Sequence, residues 1–102
     1  MTTYRANFKI ESIGIYPHGK AIYLTVAPEI AQERSTKLSI LLDRTEDNLE
    51  VIGNVVQNQI ILVKLYLDTS SRDTTTARNG SEIIRYRASK IEIPCEPSML
   101  KY

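Results

Sequence analysis

In Tyr4-Arg5-Ala6-Asn7-Phe8-Lys9-Ile10-Glu11-Ser12-Ile13-Gly14-Ile15 the side chains alternate and then change step. Tyr4, Ala6, Phe8 and Ile10 form an apolar face while Arg5, Asn7, Lys9 and Glu11 point the other way, which is the period of a half-buried strand. After Glu11-Ser12 the apolar positions shift by one residue, to Ile13 and Ile15. A bulge at that point lets one long strand bend and serve two sheets, a device of small closed barrels.

The same kind of pattern continues along the chain. Tyr16-Pro17-His18-Gly19-Lys20 reverses it, with Pro17 preset for the second turn position and Gly19 free to take positive φ. A strand over residues 21–27 turns Ile22, Leu24 and Val26 inward and Tyr23 and Thr25 outward. Residues 28–37 are polar and read as a loop, and Leu38, Ile40 and Leu42 give a third strand. Asp43-Arg44-Thr45-Glu46 has the spacing of a capping box, so a short helix is expected over about residues 45–52, ended by Gly53. Residues 58–68 form a strand with Ile61, Val63, Leu65 and Leu67 inside. Its other face, with Ile60, Leu62, Lys64 and Tyr66, is too apolar for full solvation. Residues 69–81 hold no apolar side chain larger than Ala77 and predict a long exposed loop or two-stranded finger closing on Asn79-Gly80. The last strand, residues 82–93, places Ile84, Tyr86 and Ala88 inside, changes step near Ser89-Lys90, continues with Ile91 and Ile93, and stops at Pro94.

The chain has 102 residues, 13 Lys+Arg against 12 Asp+Glu, and one cysteine. A chain of this size buries roughly 60–70% of its unfolded surface, enough for one core and no separate catalytic domain. One domain over residues 1–94 and a short tail over 95–102 are expected. The longest apolar run, residues 60–63, is far below the roughly 18 needed to cross a bilayer, and residues 1–5 carry no secretory apolar segment, so a cytoplasmic location is expected. Cys95 and the single histidine, His18, lie far apart in sequence, which disfavours a nucleophile–base pair, and two such ligands are too few for a zinc site. Glu29 and Glu33 read as exposed loop carboxylates. With no phosphate loop and no hydrolase elbow, neither metal nor cofactor is expected, and function is assigned to a binding surface, not to catalysis.

Strand, strand, strand, helix, strand, long loop, strand is the element order of a five-stranded OB-fold Greek-key barrel, all-β apart from one short helix between strands 3 and 4. Gly19-Lys20-Ala21-Ile22-Tyr23-Leu24-Thr25-Val26-Ala27 resembles the glycine turn and second strand of bacterial single-stranded-DNA-binding proteins. The helix, the run 60–67, the finger closing on Asn79-Gly80 and Arg85-Tyr86-Arg87-Ala88-Ser89-Lys90-Ile91-Glu92-Ile93 resemble the second half of that domain. Length and last strand are especially similar to the primosomal replication protein B branch, and the likeness spans about residues 4–94. It implies a homodimer, with a tetramer as the other assembly, and a role in replication or recombination. The sequence departs from that family in having no Trp, and it ends Ser98-Met99-Leu100-Lys101-Tyr102 without an acidic tail. Under the resemblance, that ending points to a stand-alone accessory of phage or plasmid type.

Charge distribution supports such a surface more than net charge does. Residues 1–28 carry a net +2, residues 29–68 a net −3 with Glu46, Asp47 and Glu50 on the helix, and residues 69–102 a net +2. Binding an unpaired strand takes cations that follow phosphates and flat side chains on which bases stack. Lys20, Tyr23, Lys64, Tyr66, Arg72, Arg78, Arg85, Arg87 and Lys90 are the candidates, whereas Tyr86, in phase with Ile84 and Ala88, is assigned to the core. The expected function is non-enzymatic binding of single-stranded nucleic acid, DNA before RNA, with low sequence preference. The competing expectation is a barrel-shaped protein adaptor or inhibitor that docks a partner through Ile60, Leu62 and Tyr66.

Overall fold

The computed structural model describes residues 3–28 and 37–94. Five strands and one helix follow in the order β1 (Thr3–Gly14), β2 (Ala21–Pro28), β3 (Leu38–Asp43), α1 (Glu46–Gln57), β4 (Leu62–Thr76) and β5 (Glu82–Glu92). They close into a barrel ordered β1-β2-β3-β5-β4, with β3 and β5 parallel and the other neighbours antiparallel. This is the five-stranded OB-type barrel expected from the element order. The loop carboxylates Glu29 and Glu33, Cys95 and the tail 95–102 lie outside the described residues.

Both changes of step are bulges. β1 pairs with β4 through residues 3–9 and with β2 through residues 8–14, and the β2 register shifts between Ile10 and Ser12. On β5 the shift falls at Ser89: Ala88 faces Leu67 while Lys90 faces Tyr66. Each extra residue restores inward phase beyond the bend, so Phe8 and Ile13 of β1, and Ala88 and Ile91 of β5, all serve the core. That core is built from Phe8, Ile22, Leu24, Val26, Ile40, Leu42, Val63, Leu65, Leu67, Ala88 and Ile91, closed by Ile52 and Val55 of α1.

Four local expectations are corrected. The helix cap is Thr45, whose hydroxyl accepts the Asn48 N–H at 3.1 Å, in place of an Asp43/Glu46 box. Gly53 does not end α1, because Val55 still has core to bury; the helix stops at Gln57 in a Schellman motif. There the Ile60 N–H donates to Val55 O at 2.9 Å, the Gln59 N–H to Val56 O at 3.3 Å, and Gln59 itself takes φ +53°. Gly19 is not in the left-handed region; it occupies the fourth turn position and donates its N–H to Tyr16 O at 3.0 Å. Strand β4 begins at Leu62, so Ile61 is in the connection and 63% exposed, its carbonyl accepting the Ile10 N–H at 2.8 Å. Tyr4, Ile15 and Ile93 are exposed as well, because each sits at or past the end of its strand, where the barrel no longer covers it.

Residues 69–81 are largely strand. β4 continues to Thr76 and pairs with β5 from Asp73↔Arg85 to Thr76↔Glu82, forming a two-stranded arm whose turn closes through Ala77 N–H to Ser81 O, 2.8 Å, with Gly80 at φ +86°. Since β3 and β5 are parallel, the arm leaves the barrel at the end where both strands start. The helix lies at the end where both finish, and Ala21↔Asp43 pairing puts the 15–20 turn at that helix end too.

Candidate nucleic-acid interface

Register decides which outward side chains are neighbours. Tyr23 of β2 faces Leu41 of β3, which faces Arg87 of β5; one row on, Thr25 faces Ser39, which faces Arg85. The β2–β3–β5 outer face therefore carries an aromatic, an aliphatic and a guanidinium side chain in one cross-strand row, with a hydroxyl-rich row beside it.

At the helix end of this face stand two tyrosines. Tyr16 and Tyr23 meet edge to face with centroids 5.4 Å apart and an interplanar angle of 64°, and they are 58% and 39% exposed. The residue before a proline favours extended backbone, and here the Tyr16 ring is turned toward Tyr23 of β2. It lies above Gly14, where an added Cβ would come within 3.5 Å of the Tyr16 hydroxyl. Lys20 sits exposed in the same turn.

At the other end, a groove of about 840 Å³ separates the sheet from the arm. Thr25, Lys37, Ser39 and Arg85 on the sheet side and Thr75 and Asn79 of the arm are among its lining residues. Its cations are partly neutralised: Lys37 pairs with Glu11 at 3.3 Å and Arg85 with Asp73 at 2.9 Å. The Arg85 hydrogen bond, followed by the Thr74 N–H, holds the Asp73 carboxyl below its ordinary range. Arg87 differs. Its backbone N–H donates to Ser71 Oγ at 2.8 Å, and its exposed guanidinium makes no ion pair among the described residues. After the Ser70 hydrogen bond, that guanidinium helps at longer range to hold the carboxyl of its cross-strand partner Asp68 below the ordinary range.

The nine candidates divide into groups. Tyr23, Arg85 and Arg87 share the β2–β3–β5 face, with Lys20 on the adjoining turn. Arg78 stands at the arm's tip and Arg72 in the stretch between Asp68 and Asp73 where the β4–β5 register shifts. Lys64, Tyr66 and Lys90 belong to the β1–β4–β5 side, in rows Asn7–Lys64–Glu92 and Arg5–Tyr66–Lys90. The Tyr66 ring there is already occupied. Its hydroxyl donates to Glu92 Oε1 at 2.6 Å, and Arg5 and Lys90 lie 5.9 and 5.6 Å from its centroid. That hydroxyl, then Lys90 at 3.2 Å, keeps the Glu92 carboxyl below its usual range. Tyr66 is thus a clasp between strands, its hydroxyl and ring both engaged by neighbouring side chains. Of the apolar residues on that side, Ile60 packs against the core and Leu62 is half-buried.

Tyr16, Leu41 and the hydroxyl pair Thr25–Ser39 were not singled out by sequence reasoning. The proline after Tyr16 is the one signal that marks it; the others depend on register. Among the described residues no three His, Cys, Asp or Glu side chains gather as metal ligands, and no helix is long and apolar enough to cross a membrane. Comparisons with protein-family models, with curated proteins and with solved structures return no match to this chain.

Proposed function

We propose that the protein binds single-stranded nucleic acid, DNA before RNA, with low sequence preference, as an accessory of replication or recombination. The observation that carries this reading is the row Tyr23–Leu41–Arg87, with Tyr16 standing beside Tyr23 on one open face. An exposed ring offers every base the same π-surface, which explains a low sequence preference, and the exposed Arg87 guanidinium in the same row meets the phosphate that follows. The adjoining groove gives the strand a polar path between sheet and arm.

The test is a titration of a fluorescein-labelled oligo-dT with the protein at low salt. Tyr23→Ala is expected to weaken binding by about 1–3 kcal/mol, the range for losing one stacked base. Arg87→Ala is expected to weaken oligo-dT and mixed-sequence strands alike, whereas Tyr66→Phe, which keeps the ring and removes only its hydroxyl, leaves affinity unchanged. Absence of wild-type binding up to roughly 100 µM, the weak end of non-specific nucleic-acid affinity, overturns the reading.

A further inference from the structure

Arg44 is the first residue beyond β3, and nothing in its local sequence marks it as more than a solvated cation. Yet β3 ends with Asp43 opposite Ala21, so Arg44 comes to rest against the turn that precedes β2. A single nitrogen, Nη1, donates one hydrogen to Tyr16 O at 2.7 Å and the other to Gly19 O at 3.0 Å. Tyr16 O also accepts the Gly19 N–H at 3.0 Å, so both of its lone pairs are engaged. The turn has little else to hold it: Pro17 contributes no N–H, and residues 15–20 belong to no strand. Charge-assisted bonds to two carbonyls of one turn fix its orientation more firmly than neutral ones do.

We infer that Arg44 is a positioning residue of the aromatic platform: it pins the 16–19 turn so that the Tyr16 ring stays edge-on to Tyr23 over Gly14. This rests on the strand-binding reading above and assigns the platform a built-in support. A flexible turn would let the Tyr16 ring sample many orientations, and an incoming base would have to order it on binding. Both Nη1 hydrogens of Arg44 are spent on backbone carbonyls of the turn, which ties this guanidinium to the platform.

The experiment is a double-mutant cycle between Arg44→Met and Tyr16→Ala, read by oligo-dT affinity across a salt series and by ring-to-ring nuclear Overhauser contacts in the free protein. Arg44→Met is expected to weaken binding about tenfold, within the range for one stacked base. The salt slope stays unchanged, and the Tyr16–Tyr23 contact disappears. In the Tyr16→Ala background the same substitution costs nothing further. Arg44→Lys, which keeps a cationic donor, restores part of the affinity and supplies the same cycle if Arg44→Met fails to fold. A slope flattened by about 0.7, the value of one phosphate contact on a single strand, overturns the inference in favour of a direct phosphate ligand. Fully additive losses, or undiminished affinity in Arg44→Met, also overturn it. If the wild-type protein binds no oligonucleotide, the strand-binding reading falls, and the ring contact alone still decides whether Arg44 holds the turn.

Discussion

Two residues of α1 and its C-terminus have exchanged the roles their chemistry suits. Gly53 occupies a helical position where an added Cβ meets nothing within 4 Å, so its conformational freedom serves no purpose in the folded state. Gln59 occupies the left-handed position of the Schellman motif at φ +53°, where a side chain is strained by roughly 1–2 kcal/mol and glycine is not. Gly53→Ala is therefore expected to raise stability by about 0.5–1 kcal/mol. Gln59→Gly gains a similar amount, because strain relief exceeds the added freedom of the unfolded chain. Urea denaturation of both single variants and the double checks this, and the two gains add because neither residue touches the other's contacts. The misreading of the helix end has the same origin. A glycine marks a helix terminus only when the left-handed site needs one, and here the glycine stands six residues before that site.

At the scale of elements, α1 and β5 are tied by Asn48, a fully buried polar side chain whose groups are all used. Its Nδ2 donates to Asp43 O at 2.8 Å and Ser89 O at 3.0 Å, its Oδ1 accepts the Ile91 N–H at 3.2 Å, and its own N–H is capped by Thr45. These bonds clamp both sides of the β5 bulge, where the barrel hydrogen bonds are interrupted. Asn48→Ala leaves a buried N–H and carbonyls without partners, at an expected cost of about 2–4 kcal/mol and with faster amide exchange at Ile91. A loss below about 0.5 kcal/mol means that the strand pairing alone holds the bulge. The bulges themselves were legible as changes of apolar phase at Glu11-Ser12 and Ser89-Lys90, and with the helix they were enough to identify the barrel. Asn48 was not legible, because an asparagine inside an amphipathic helix looks the same in sequence whether its amide reaches water or a neighbouring strand.

For the whole molecule the question is how much affinity its charge can supply. Alternation in the sequence told outward residues from inward ones but not which outward residues share a row. The parallel β3–β5 pairing sets that, and it groups Tyr23 with Arg87 while leaving Tyr66 inside an Arg5–Lys90 clasp. Of the nine candidates, Lys20, Arg72, Arg78 and Arg87 stand on or beside the β2–β3–β5 face and its arm without an ion pair among the described residues, whereas Arg85 is shared with Asp73. Each phosphate neutralised on a single strand contributes about −0.7 to the slope of log K against log salt, so four contacts predict a slope of about −3 per chain. Oligo-dT affinity measured from about 25 to 200 mM KCl, alongside light scattering for the assembly state, tests this. Two chains engaging one strand together give about twice that slope, and the light scattering must then show the homodimer that the resemblance implies. A slope near zero means that stacking works without phosphate contacts and removes Arg87 from the interface. A slope much steeper than about −3 in a monomer requires cations from elsewhere on the barrel, and the β1–β4–β5 side with Lys64 and Lys90 is then the surface to mutate.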